Sequence, residues 1–528
     1  MSTSSTALHE MRRTRQKRRL GELEWFEIAY RVYLAALFGG LAVMWLSDLV
    51  TDEPATADQL ADVVERGPAV IGLVVIAAVA LGLRSGSDGG PISLEAGDAR
   101  HLMLAPIPRR EVLLRPVGQR MRAVAFAAAV TGAIAGQLAS RRLPGSAAAW
   151  AASGGAAAAL TGLAFVAVAV VTHAMGVPRW AATALALVLL SVQGAAVVWG
   201  WPGPGDGLGS LAMWGMRSEP VDLLAAAVVV LLAVGALVVA DRLRLEPVTR
   251  RADLVSQLRV AVTVQDLRTV VLLRRQLRGE RPRTTPWVGI GRCSPAAGPT
   301  QAVVRRGLRG LSRYPAARLA RMAALAALAA LAVVAVLRGT TPLVLAAGFA
   351  LYLLGLEAIE PLSQEIDHPD VADGVPQTRG WLLLRHLGAP VVGLLPFAAL
   401  GAAVVAVAQP SAAAAAFALA VPVTLGGACG SVVSVVRDAA DPLAAPNAAV
   451  PPEFAGASSF IRLAVPIVIS TIPALTALAM REFPEPATAV RLAVADVLLV
   501  AATAWWVRRG DEWRAKLRAF SQAGRHAS

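Results

Sequence analysis

The sequence predicts an all-α polytopic membrane protein with about twelve transmembrane helices, arranged as two parallel six-helix repeats. Three observations predict it. Apolar residues make up 56% of the 528 positions and charged residues only 16%, against about 25% charged in soluble globular chains. The apolar residues gather into runs that approach the roughly 20 residues a helix needs to cross the hydrocarbon. A segment mixing Pro, Glu and Arg occurs in both halves at a constant offset of 270 positions. This composition excludes an ordinary soluble enzyme and a disordered chain. With Cys293 and Cys429 as the only cysteines, it also excludes a disulfide-stapled domain.

Taken from the N-terminus, Arg12, Arg13, Arg15, Lys17, Arg18 and Arg19 place the leading tail inside by the excess of positive charge. Leu20 to Ile28, with Leu23, Trp25 and Phe26 among Glu22, Glu24 and Glu27, predicts a short interfacial helix before the first span. The first span, 29–47, is too long for a cleaved signal and reads as a signal-anchor. Asp48, Asp52, Glu53, Asp58, Asp62 and Glu65 put the following loop outside. Spans follow at 68–83, 123–139, 147–171, 181–199 and 221–240, the third and fourth separated only by Arg141, Arg142 and Pro144. The second half offers 319–337, 342–356, 386–408, 411–435, 463–480 and 487–507. The tail with Arg508, Arg509, Arg514, Lys516, Arg518 and Arg525 returns inside, and an even number of spans leaves both termini cytoplasmic.

Residues 1–240 thus form a first six-span half and 319–528 a second, joined by a basic linker, 241–318. Between Asp241 and Met322 there are 18 arginines against five acidic residues, a surplus close to the whole formal net charge of +14. Leu254, Leu258, Ala261, Val264, Leu267 and Val271 recur at helical spacing with Arg259, Arg268, Arg274 and Arg275 between them. This is an amphipathic helix, read as lying on anionic membrane lipid. It lacks the interleaved aromatics of a nucleic-acid site, so no nucleic-acid partner is expected.

The repeat is clearest in a loop. Pro91-Ile92-Ser93-Leu94-Glu95 aligns with Pro361-Leu362-Ser363-Gln364-Glu365. Without a gap, Pro106 then meets Pro376, Arg109 meets Arg379, Leu113-Leu114-Arg115 meets Leu383-Leu384-Arg385, and Gly118 meets Gly388. A fainter echo sets Arg18, Leu20 and Leu23 against Arg306, Leu308 and Leu311. Two tandem six-span units with one orientation are parallel repeats. Each keeps about thirty residues between its second and third spans, long enough to dock on a partner rather than merely turn the chain.

Several chemistries are absent from the sequence. A phosphate-binding loop needs Gly-x-x-x-x-Gly-Lys followed by Ser or Thr, and neither Lys17 nor Lys516, the only lysines, has that context. Any ATP dependence therefore resides in another polypeptide. None of His9, His101, His173, His368, His386 and His526 stands at metal-ligand spacing from another, so no metal site is expected. No Gly-x-Ser-x-Gly elbow is found, and no catalytic residues are expected. Asp496, in the last span, is the one deeply placed carboxylate and a candidate functional group, with Arg491 or Thr503 as its structural partner in the plainer reading.

The segment Pro91-Ile92-Ser93, Asp98, Leu102, Leu104, Pro106-Ile107-Pro108-Arg109, Leu113-Leu114 resembles that of bacterial ABC export permeases of the ABC-2 type. The resemblance implies six spans per half, an interfacial helix before the first, and a coupling segment between spans two and three that enters a cleft of an ATPase. It further implies a second contact between spans four and five. By that resemblance Glu95, Asp98, Pro106, Arg109 and Arg115 in the first half, and Glu365, Pro376, Arg379 and Arg385 in the second, are docking candidates. The implied partners are two copies of a cytoplasmic ABC ATPase, which hold the ATP and magnesium, in a bacterial plasma membrane; this chain needs no cofactor. The second copy departs, with His368, Ala372, Gly374 and Thr378 at the places of Asp98, Leu102, Leu104 and Pro108. Alternatives from other classes are a proton-coupled secondary transporter, which suits twelve spans in two parallel halves, and a membrane-embedded scaffold or enzyme.

Overall fold

In a computed structural model the chain is described over residues 54–87, 108–243, 282–291, 298–367, 377–437 and 464–526, with a few isolated positions elsewhere and side chains to 509. Span 29–47 but for isolated positions, the stretch 20–28, the amphipathic pattern 254–271, residues 91–107 of the first loop repeat and 368–376 of the second lie outside the described residues. Every regular element described is helical. Ten helices are long and apolar enough to cross a membrane, or eleven if one bent pair counts as a span. The protein is thus a multi-pass helical membrane protein by helix length and hydropathy. Its residues fall into two compact units, the first covering Met1–Val260 and the second Glu280–Ser528, each with a short piece of the intervening linker.

In the first unit the helices are α1 (Ala57–Ser87), α2 (Arg109–Ala139), α3 (Ala147–Ala174), α4 (Arg179–Trp199), the short α5 (Asp206–Ala212) and α6 (Asp222–Val238). The centre is α3, which packs against α1, α2, α5 and α6. Its sequence explains why: 147–162 is nearly all Ala, Gly and Ser, so neighbours reach its backbone. On α2, Gly132 and Gly136, four residues apart, lie against the carbonyls of Gly154 and Trp150. On α1, Gly82 and Gly86 repeat the arrangement, and an added Cβ would come 2.6 and 2.5 Å from the carbonyl oxygens of Phe165 and Ala169. Lipid chains are as apolar as leucine, so close backbone approach at small residues drives helix association in a bilayer.

The α2–α3 boundary falls where Arg141, Arg142 and Pro144 predict it. Gly145 adopts φ +117, and the Ser146 hydroxyl accepts from the Ala149 N–H at 3.2 Å to cap α3. Further on, 200–222 folds back among the helices rather than lying open. Fully buried Gln193 donates to the Ala69 carbonyl (2.9 Å) and Asp206 Oδ1 (2.7 Å), and accepts from the Gly205 N–H (2.8 Å). Ser210 and Trp214 both donate to the buried Asp222 Oδ2 at 2.8 Å. Each of these groups would be costly to bury alone. One difference from expectation concerns the third span: α2 begins at Arg109, well before 123, and runs through Pro116. Pro116 removes the hydrogen bond to the Val112 carbonyl four residues back, yet the helix continues through it.

The second unit contains α7 (Pro299–Leu311), α8 (Ala316–Leu337), α9 (Leu343–Ala358), α10 (Glu360–Asp367), α11 (Arg379–His386), α12 (Gly388–Ala408), α13 (Ala413–Val436), α14 (Ala464–Glu482) and α15 (Pro486–His526). Here α13 is central, touching α9, α12 and α15. Amphipathic α7 lies across α11 and α12, its Val304, Gly307 and Leu311 meeting Gly388, Ala389 and Gly393. α9 and α10 form the bent pair, with 62° between them. The bend has a chemical origin. Pro361 lacks the N–H that would bond the Glu357 carbonyl four residues back. That carbonyl instead accepts from Arg318 Nη2 (2.6 Å) and the Tyr314 hydroxyl (3.2 Å).

Candidate functional site

The densest buried charge described lies at this bend. Arg318, on the first turns of α8, is 5% exposed. Its Nε is 3.0 Å from Glu357 Oε2, its Nη2 is 3.1 Å from Glu360 Oε2, and its guanidinium covers the Tyr314 ring at 3.8 Å. Arg321, one turn on, brings Nη2 within 3.2 Å of Glu357 Oε1, and Gln364 Nε2 donates to Glu360 Oε1 at 3.1 Å. Among the described residues, two arginines therefore face two carboxylates. A buried set like this adds little net stability, but losing one member is costly because the others stay behind uncompensated.

A second pair adjoins it in sequence and space. Glu365 on α10 and His386 on α11 meet at 3.2 Å (Oε2 to Nε2), their side chains 6% and 4% exposed. The pair joins α10 to α11 across the segment 368–376. Arg385 stacks on Trp381 at 2.7 Å from the ring centroid. Gly380 at the start of α11 packs on the Arg508 backbone of α15. Together these contacts fix the angle of α10 and α11 to the spans. They leave Gln364, Gln377, Thr378 and Arg379 exposed.

The docking candidates fall in different environments. Arg109 and Arg115 are exposed on α2, and Arg379 is exposed as the first residue of α11. Arg385 is half-buried, and Glu365 is buried against His386. Glu95, Asp98, Pro106 and Pro376 lie outside the described residues. Asp496 is 3% exposed on α15, beside Gly426 of α13 and Pro473 of α14. Its Oδ2 has no hydrogen-bond partner among the described residues. Neither expected partner engages it: no ion pair joins it to Arg491 among the described residues, and the Thr503 hydroxyl donates to the Leu499 carbonyl at 2.9 Å.

Sequence reasoning missed Tyr314, Arg318, Arg321, Glu357, Glu360 and His386. A signal was present: Arg318 and Arg321 open one apolar run and Glu357 and Glu360 close the next. A short turn joins the two runs, so an antiparallel helix pair must bring those ends together. Among the described residues no three His, Cys, Asp or Glu side chains converge as metal ligands. No family model, curated protein or solved structure matches the chain.

Proposed function

We propose that the chain is the permease subunit of an ATP-driven exporter, two six-span halves in tandem, energised by separate ATPase subunits. The observation that carries this is the shared placement of the matched loop residues. Arg109 and Arg379 each open a helix, in separate units, after a residue with extended backbone (Pro108 ψ 121, Thr378 ψ 139). In each, the following Leu113 or Leu383 is buried and Leu114 or Leu384 half-buried. Amphipathic α7 stands just before the span α8, where the family resemblance expects an interfacial helix. On this reading the chain, which has no phosphate loop in its sequence, leaves ATP to a partner. The Glu365–His386 pair then makes α10 and α11 one stiff piece and the cluster at the bend ties it to α8 and α9, able to transmit a push from an ATPase to α9.

Two results test it. The purified chain alone is expected not to bind ATP; micromolar binding with no ATPase present sinks the proposal. Co-expressed with its ATPase, one copy of the chain is expected to hold two ATPase subunits by native mass spectrometry. Two copies of the chain per ATPase pair would mean that one half is not a working unit.

One observation favours the secondary-transporter reading: the buried, partly unpartnered Asp496 carboxylate, since ionisable groups inside a membrane mark transport paths by default. The two readings separate on Asp496→Asn. Export driven by ATP is expected to survive it largely intact. Abolished transport at normal expression, together with uptake that follows an imposed pH gradient, would favour proton coupling.

A further inference from the structure

A ten-residue strap, 282–291, is tied to the foot of α8. The Arg283 N–H donates to the Arg313 carbonyl (2.9 Å) and the Trp287 N–H to the Ser312 carbonyl (2.8 Å). Trp287 Nε1 donates to the Tyr314 carbonyl at 2.8 Å, and Arg309 Nε reaches back to the Ile290 carbonyl at 3.2 Å. The first three bonds occupy the carbonyls of the turn between α7 and α8, and the fourth a carbonyl of the strap itself. They hold Trp287 and Val288 outward, 49% and 65% exposed, with Arg283 over the Trp287 ring at 3.7 Å.

The surroundings are cationic. From Arg281 to Arg321 the sequence holds nine arginines and no acidic residue. Arg318 and Arg321 are neutralised at the bend, whereas Arg283, Arg306, Arg309 and Arg313 pair with no carboxylate among the described residues. The apolar side of α7 is covered by α11 and α12, Arg306 lies within electrostatic reach of His386 on α11, and Arg309 is held by the strap. Depth follows from the span itself. With residues 319–337 in the hydrocarbon, Ala316 at the start of α8, three residues earlier at about 1.5 Å each, sits roughly 4–5 Å beyond it, and Tyr314 further out. That is the headgroup layer, where tryptophan is enriched.

We propose that Arg283, Arg313 and Trp287 form a binding surface for the headgroup phosphates of anionic phospholipids, in the leaflet at the foot of α8. The strap thereby fastens the second unit to the bilayer. This requires only that α8 spans the membrane and is independent of the transport reading.

The test is native mass spectrometry of the full-length protein in detergent with added phosphatidylglycerol or phosphatidylcholine. Wild type is expected to retain phosphatidylglycerol in preference. Arg283→Gln with Arg313→Gln is expected to weaken that retention on the order of thirty-fold, at about five-fold per arginine near a charged surface, with phosphatidylcholine unaffected. Arg283→Lys with Arg313→Lys keeps the charge and is expected to retain most of the binding, which separates charge from folding. Equal retention of the two lipids by wild type, or undiminished phosphatidylglycerol in the glutamine variant, overturns the proposal. So does tighter binding of a short single-stranded oligonucleotide than of phosphatidylglycerol.

Discussion

Arg318→Met is expected to destabilise the chain by about 3–5 kcal/mol, the usual cost of stripping one partner from a buried ion cluster. The side chain compensates two carboxylates and also bonds the Glu357 carbonyl that Pro361 leaves without its helical donor. Removing it takes one of the ion pairs of Glu357, which keeps that with Arg321, and the Arg318 ion pair of Glu360. Heating in detergent followed by size-exclusion should show a clear drop in the temperature at which the monodisperse peak is lost. Glu357→Gln in the same background should add much less than it costs alone, because the two residues belong to one network. An unchanged melting profile for Arg318→Met would mean that the cluster does not hold the bend.

Gly136→Val on α2 is the second change with a large expected effect. The new side chain would meet the backbone carbonyl of Trp150, and a carbonyl in a helix cannot swing aside as a side chain can. Separating α2 from α3 also loosens Gly132 against Gly154, four residues away. Overpacking of this kind costs about 1–3 kcal/mol, and the backbone contact argues for the upper end. Gly235→Val on α6 is the control: the same exchange in a helix of the same unit, at a site with nothing within 4 Å. It should melt close to wild type. Equal melting of the two variants would show that the α2–α3 contact is not close in the bilayer.

The membrane architecture was legible because hydrocarbon imposes a length and a polarity on each segment. Eleven expected spans coincide with helices, and 29–47 lies outside the described residues. Even the narrow separation at Arg141, Arg142 and Pro144 falls correctly, since two arginines and a proline seldom share a membrane interior. The start of α2 was misplaced because hydropathy reports where a helix enters lipid, while hydrogen bonding decides where it begins. The charged bend was missed for a related reason. Arg318 and Glu357 each look like an interfacial residue at the end of its own apolar run, and only the pairing of α8 with α9 makes them one cluster. Glu365 was legible as a repeated position, but its burial against His386 depends on the fold of α10 over α11.

Helix α15 is continuous for 41 residues, about 61 Å at 1.5 Å per residue, roughly twice the thickness of the hydrocarbon. A rod anchored over half its length acts as a lever. A tilt of about 10° at the bilayer would sweep its far end sideways by on the order of 4 Å. Gly380 of α11 rests on α15 at Arg508, near the lever's pivot, so small movements of α11 are magnified at the tip. A probe attached near His526 would report such movements more sensitively than one placed beside the bend.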